Sequence, residues 1–396
     1  MFEAYQRLTR LPALLTLGLL LILATVGTFT AGIWAIGGLG SAIILTCIAW
    51  RIDRHFPQPS PLWWQMAIMA MVPMAALASA SIDPALSWRE TLRMATIFLP
   101  LVMLLSPAVS DRLDHQRLFP LLTIAITVGA AALGIELCLG GPLLHIVRGP
   151  QAQMTEYNRS LSYTLLIAIP CMAWLWQTKR RWLVAPFILI LLFPASLTES
   201  RAAKLSLMLA LPVILFAHYQ PRRVLPLLGA FTTLCIGWPF AARYMFLNHH
   251  DWLARLPPSW LHRTEIWDYM SYRIAEKPWL GWGFGTSHLL DFKNPHGDSY
   301  VFAIQPAAHP HNVLIQLWVE MGLPGLAIGL LFTALTLVMV KKMKPHLMPF
   351  AAGAWVASLT LSLVAYSFWT DSLFCAFALT GTLFGILNRR KNGASA

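Results

Sequence analysis

Three polar groupings interrupt an otherwise apolar chain, and their residue types suggest anion binding beside a proton acceptor. The first is Arg201, in the turn SLTESRAAK of Ser196–Lys204. A guanidinium is a planar fork of donors that grips phosphate oxygens in pairs. A salt bridge to Glu199 or an anchor at a membrane interface would use the same residue. The second is Arg263, which opens RTEIWDYMSYRI; Ile266, Trp267, Met270 and Ile274 follow at helical spacing. Glu265 and Asp268 lie close enough in sequence to pair with it. The third is HPHNVLIQLWVEMGLPG, His309–Gly325. Pro310 suits a first helical position, which sets His311 and Asn312 at a helix start. Asn312, Gln316 and Glu320 then recur at i, i+4 and i+8 as a polar stripe. Neutral imidazole accepts a proton near pH 7, so His311 reads as a general base, with helix capping or metal ligation beside His309 as alternatives. No carboxylate stands at the spacing of a HExxH-type site, and no metal is expected.

Weaker candidates surround these. Arg148 and Arg159, with Tyr157 and Asn158, can extend an anion pocket or anchor an interface. Asp371 can orient His311 or an arginine, or mark a turn. The run KPWLGWGFG, Lys277–Gly285, lacks the flanking strand and helix of a dinucleotide fingerprint. It reads as a tight turn that brings backbone close to a ligand or a neighbouring helix.

The elements that must hold these residues are set by composition. Of 396 residues 57% are hydrophobic and 12% charged, about half the charge usual in soluble chains, and mean hydropathy is +0.60. Stretches of roughly 20 residues, the length needed to cross a bilayer, recur throughout. Leu11–Trp50 has room for two spans, joined near Gly32 and Gly37–Gly40. The others are Pro61–Ile82, Met94–Ser110, Leu118–Ile135, Ser160–Thr178, Trp182–Thr198, Leu205–Pro221, Val224–Ala242, Met321–Val340, Pro345–Thr370 and Ser372–Asn388. This predicts an all-α polytopic membrane protein of about twelve transmembrane helices. The five cysteines fall in apolar stretches, which argues against a disulfide framework or a Cys-based zinc site.

The net charge of +12 follows topology rather than a nucleic-acid surface. With the N-terminus inside, 17 of the 29 Lys and Arg fall on the cytoplasmic side against four acids, as the positive-inside rule requires. Both termini are then cytoplasmic. Residues 1–245 hold nine spans, 246–310 form a long outer loop, and 311–396 hold three spans and a cytoplasmic tail. The loop carries six of the twelve histidines, and a connection of that length is more often functional than a mere link.

Ser200-Arg201 after an apolar span, Arg263 leading into Pro278–Gly285, and His311-Asn312 followed by Gly322 and Gly325 together resemble the O-antigen ligase family of the bacterial inner membrane. The resemblance covers about residues 190–330. Ala202 departs from it, where relatives often have glycine. The resemblance implies a GT-C-like helical glycosyltransferase with a periplasmic active site. Its donor would be an undecaprenyl diphosphate-linked glycan and its acceptor a sugar of lipid A-core. Membrane lipids would surround it, and no cofactor would be needed. Arg201 and Arg263 would bind the donor diphosphate, and His311 would be catalytic, with Asn312, Arg148, Arg159 and Asp371 in support. An O-antigen polymerase or protein O-oligosaccharyltransferase using the same donor is one alternative. A polytopic lipid or solute transporter is another, disfavoured because charges cluster at one face rather than mid-membrane.

With the native cysteines replaced, a cysteine at Gln177 or Lys342 should be labelled only from the cytoplasm, and one at Ser259 only from outside. External labelling at Lys342 would overturn the orientation.

Overall fold

A computed structural model describes residues 25–389 except 112, 114, 179, 254, 292–294, 297–299, 303–306 and 308. Among the described residues every regular element is helical. In chain order the principal helices are α1 (Ala31–Asp53), α2 (Pro61–Ala78), α3 (Pro84–Leu105), α4 (His115–Cys138), α5 (Tyr157–Gln177), α6 (Val184–Leu197) and α7 (Arg201–Tyr219). They continue as α8 (Pro221–Ile236), α9 (Trp238–Asn248), α10 (Pro258–Glu276), α11 (Val313–Lys341), α12 (Met348–Val364) and α13 (Asp371–Arg389). Proline opens α2, α3, α8 and α10, where its missing N–H would lack an intrahelical partner anyway.

Among the described residues, seven helices are long and apolar enough to cross a membrane: α1, α2, α4, α5, α7, α11 and α13. An eighth is reached if α8 and α9, bent by 52° about Gly237, count together. The chain therefore has the make-up of a polytopic membrane protein. Helices α6 and α12 are apolar but shorter, and α3 carries Arg89, Glu90 and Arg93. Each span expected from the sequence after the first meets one of these helices. The first falls largely within residues 1–24, outside the described part.

Some boundaries differ from those read in the sequence. The fourth expected span, Met94–Ser110, belongs to a helix that starts at Pro84, where Asp83 caps the Leu86 N–H at 2.9 Å. The loop helix begins at Pro258 rather than Arg263. Pro310 is not helical. Asn312 is the cap of α11, its Oδ1 accepting from the N–H groups of Leu314 and Ile315 at 3.0 and 3.2 Å, and an Asn cap outcompetes proline for the start.

Helix α5 is the central post. Almost all of its residues from Tyr157 to Leu175 are buried, the polar ones gathered in its first two turns and the rest apolar on every side, and it packs against α12, α13, α1, α4 and α7. A second, smaller core lies in the loop layer. There Phe246, Leu253, Ile266, Trp267, Met270, Ile274, Leu290 and Tyr300 close on Ile315 and Val319 of α11. The 246–310 segment thus has a hydrophobic centre of its own.

Gly322 joins the two layers. Its φ of 64° breaks α11 inside what is otherwise a 29-residue helix. The glycine turn inserts at that break: Trp282 N–H donates to Val319 O at 2.9 Å, Gly283 N–H to Glu320 O at 2.8 Å, and Leu323 N–H to Pro278 O at 3.0 Å. A Cβ on Gly322 would stand 2.2 Å from Trp279 O, and one on Gly281 2.5 Å from the Glu320 carbonyl carbon. Both contacts are with backbone, so neither can be relieved by a rotamer change.

Gly322→Ala should therefore destabilise the protein by more than the ~1–2 kcal/mol of a left-handed L-residue, read as a lower melting temperature in detergent. Gly32→Ala, which meets nothing within 4 Å among the described residues, should be neutral. Equal melting temperatures for the two variants would show that the junction tolerates a side chain.

Candidate active site

The three groupings picked out in the sequence converge on the short loop between α12 and α13. Helix α12 stops at Val364, leaving carbonyls that need donors. Arg263 Nε donates to Val364 O at 3.0 Å, and His311 Nδ1 lies 2.7 Å from Ala365 O. Because a carbonyl only accepts, that contact places the imidazole proton on Nδ1 and leaves the Nε2 lone pair available. His311 itself has φ 54°, an uncommon conformation for a non-glycine residue, forced between the loop layer and the capped start of α11.

The arginines approach from two directions. Arg201 is the first residue of α7, and Ser200 caps that helix by accepting from Ala203 N–H at 3.2 Å. A helix start favours negative charge through its oriented N–H groups. Ala202 lies with Leu361 and Ala365 in a small buried cluster, which seats the start of α7 against the loop. Arg201 donates to the Ser259 hydroxyl, while Arg263 Nη1 donates to the Ser259 carbonyl at 2.6 Å. Ser259 thus bridges the two guanidinium groups, whose partners are all neutral. Burial and the Arg201 charge both disfavour the charged form of Arg263, yet among the described residues no carboxylate pairs with either arginine. Glu199, Glu265 and Asp268, the obvious partners by sequence, do not serve. Glu265 accepts from the N–H groups of Val301 and Phe302 at 2.8 and 2.9 Å, and Asp268 is held by Tyr300 and by His296 at 2.8 Å.

Arg159, near the start of α5, lies 5.3 Å over the ring of Tyr366. The Tyr366 hydroxyl donates to Asn158 O at 3.0 Å and stands 3.0 Å from Ser162 Oγ. In the sequence Tyr366 falls inside an apolar span and carries no mark of a site.

The remaining candidates separate. Asn312 is the helix cap. Asp371 pairs with Arg93, whose Nη2 also donates to Trp369 O at 3.1 Å; it orients neither His311 nor the other arginines. Arg148 is exposed at the end of a short helix, Pro142–Arg148, and among the described residues no contact ties it to the cluster. His309 lies ring to ring with His311, centroids 4.0 Å apart, and its Nε2 is buried with no partner among the described residues. Burial pushes His311 down to about 3, helped by His309 and Arg263, and pushes His309 down to about 4, helped by Arg159 and Arg263. Both rings are neutral at pH 7. Among the described residues no three His, Cys, Asp or Glu side chains gather as a metal set.

Such a site can hold a diphosphate-sized anion at two guanidinium groups and accept one proton beside it. Similarity to known proteins falls on the same stretch. Residues 187–330 match the family model described as O-antigen ligase. A protein of Rickettsia felis provisionally named a polysaccharide ligase is 28% identical over 116 residues, 28% of each chain. Provisionally named polysaccharide ligases of Rickettsia typhi and Rickettsia bellii are 37% identical over 75 residues and 38% over 76, in each case 18% of both chains. The match thus spans less than a third of those relatives' length.

Arg201→Lys keeps the charge but loses the fork. Calorimetric titration with inorganic pyrophosphate should show affinity about 10-fold weaker, the loss of one charge-assisted hydrogen bond. Unchanged affinity in both Arg201→Lys and Arg201→Ala would assign the residue to structure.

Proposed function

We propose that this chain, whose residues 187–330 form an O-antigen ligase family segment, is a membrane glycosyltransferase of lipopolysaccharide assembly. It moves a glycan from undecaprenyl diphosphate to a sugar of lipid A-core. The observation that carries the reading is His311 Nε2, left neutral and free by the Nδ1 contact with Ala365, beside two arginines whose partners are all neutral. The enzyme sits in the bacterial inner membrane with about twelve spans and a GT-C-like arrangement. Both termini are cytoplasmic, and the site faces the periplasm.

This geometry supports the following reaction. The acceptor hydroxyl attacks the anomeric carbon of the donor while His311 Nε2 takes its proton. A C–O bond forms to the acceptor as the bond from the anomeric carbon to the diphosphate oxygen breaks. The electron pair leaves with undecaprenyl diphosphate, and Arg201 and Arg263 stabilise the charge that develops on it. A single displacement inverts the anomeric carbon. The diphosphate is already a good leaving group, so no ATP is consumed, and the arginines do the work that a divalent ion does elsewhere.

An imidazole held near 3 is a weak base in the free enzyme. Burial and the neighbouring His309 account for most of that depression, while bound diphosphate offsets the positive field of Arg263 and so raises His311 above its free-enzyme value. The base therefore strengthens when the donor is in place.

His311→Ala should insert and bind donor yet lose about 10²–10⁴-fold in transfer, the usual contribution of a positioned base. His309→Ala removes only the ring that covers it and should lose less. In the wild type, kcat/KM for the donor should hold as pH falls through about 6.5, the ordinary imidazole value, and decline only well below, because the free-enzyme imidazole stays neutral. The decline in kcat, which reports the donor complex, should lie at higher pH than that in kcat/KM. Normal transfer by His311→Ala, or coincident declines at the ordinary imidazole value, would sink the assignment.

A further inference from the structure

We infer that Gln316 and Glu320 are positioning residues for His311, acting through the loop between α12 and α13. This rests on the reading of His311 as the base.

The polar stripe of α11 turns inward onto that loop. Glu320 is fully buried. Its Oε2 accepts from Gly285 N–H at 2.9 Å and from the Trp369 indole at 2.6 Å, while its Oε1 accepts from Gln316 Nε2 at 3.2 Å. Gln316 Nε2 also donates to Ser367 Oγ at 3.1 Å, and Gln316 Oε1 accepts from Phe368 N–H at 2.9 Å. Two side chains one helical turn apart therefore grip Ser367, Phe368 and Trp369 in succession. Two residues upstream the same loop presents Ala365 O to His311. The circuit starts on α11, crosses to the loop and returns to the residue just before the α11 cap. If the grip loosens, the carbonyl that fixes the imidazole tautomer and its direction moves.

Donor and acceptor arithmetic makes the circuit specific. Oε2 of Glu320 already serves two donors and Oε1 a third, so the site needs acceptors on both oxygens. In Glu320→Gln the amide oxygen can take the place of Oε2, but its NH2 then meets the NH2 of Gln316. Turning Gln316 over removes that clash and sets its NH2 against Phe368 N–H instead. In Gln316→Glu two carboxylates face each other. The double exchange Gln316→Glu/Glu320→Gln is complementary again. The introduced amide donates to the introduced carboxylate one turn earlier. The other oxygen of that carboxylate accepts from Phe368 N–H, while the Ser367 hydroxyl turns to donate.

The test measures transfer of an undecaprenyl diphosphate-linked O-antigen to lipid A-core in detergent, per mole of folded protein. Each single exchange should lower kcat about 10- to 100-fold, the scale of a misplaced catalytic group, with donor KM nearly unchanged. The double exchange should recover kcat to within about threefold of wild type. In a His311→Ala background, Glu320→Gln should cause no further loss, because residues that act as a unit are not additive. Ser367→Ala, which removes one link without burying a new group, should show the same pattern more weakly. The inference is overturned if the double exchange is no better than the singles, or if Glu320→Gln costs the same factor with and without His311. A His311→Ala protein that transfers at the wild-type rate would instead overturn the base assignment beneath it.

Discussion

A backbone carbonyl exposed where a helix ends inside an apolar bundle has no water to turn to, and each one left unpaired costs several kcal/mol. That constraint organises the end of the bundle where α12 gives way to α13. Helix α12 ends at Val364 with the loop to α13 packed among neighbouring helices rather than in solvent. Its carbonyls draw in Arg263, His311 and Arg93, and its N–H groups are met by Gln316 and Ser367. Arg263 and His311, two of the three residues proposed to bind and activate substrate, are thus also partners of the helix end. Removing any of them takes away a chemical group and a structural partner together, which is why tests resting on isosteric exchange discriminate better than deletion to alanine.

Charge is divided unevenly among the arginines. Arg93 and Asp371 pair with each other, Arg273 pairs with Glu276, and Arg389 pairs with Asp111 at the other end of the bundle. Arg201 and Arg263 instead share Ser259, through its hydroxyl and its carbonyl respectively, and Arg263 also donates to Val364 O. Two guanidinium groups held by neutral acceptors keep their full field, and Arg201 adds the favourable end of α7. A pair of arginines that were merely structural would be expected to recruit one of the three nearby carboxylates. Two of those are spent on the loop, where Glu265 holds Val301 and Phe302 and Asp268 holds His296 and Tyr300.

Much of this is legible in the sequence, for identifiable reasons. Hydropathy marks helices well when nearly every residue in a run is apolar, so α5, α7 and α13 fall where the runs lie. The motif residues Arg201, Arg263 and His311 carry distinctive chemistry and stand out by type alone. The boundary of α12 is not legible, because Ala365 and Tyr366 continue an apolar run whose end is set by tertiary partners. With the boundary hidden, Tyr366 and the two loop carbonyls are hidden too. Asp371 is visible, but its partner Arg93 lies 278 residues away, a separation that no local pattern reports. The stripe Asn312, Gln316, Glu320 is visible, though its use is not: one member caps the helix and the other two face the loop.

The burial of α5 has a consequence for how the protein meets a bilayer. Helices at the periphery respond to a thicker or thinner hydrocarbon layer by tilting, at fractions of a kcal/mol per Å. Helix α5 has almost no surface on which lipid can act, since the helices around it take up its contacts. Arg159 and Asn158 therefore ride on a post whose depth is fixed by protein, and Tyr366 and the loop beside it share that reference. A change in bilayer thickness can then tilt the peripheral helices while the residues carried by α5 keep their places relative to one another.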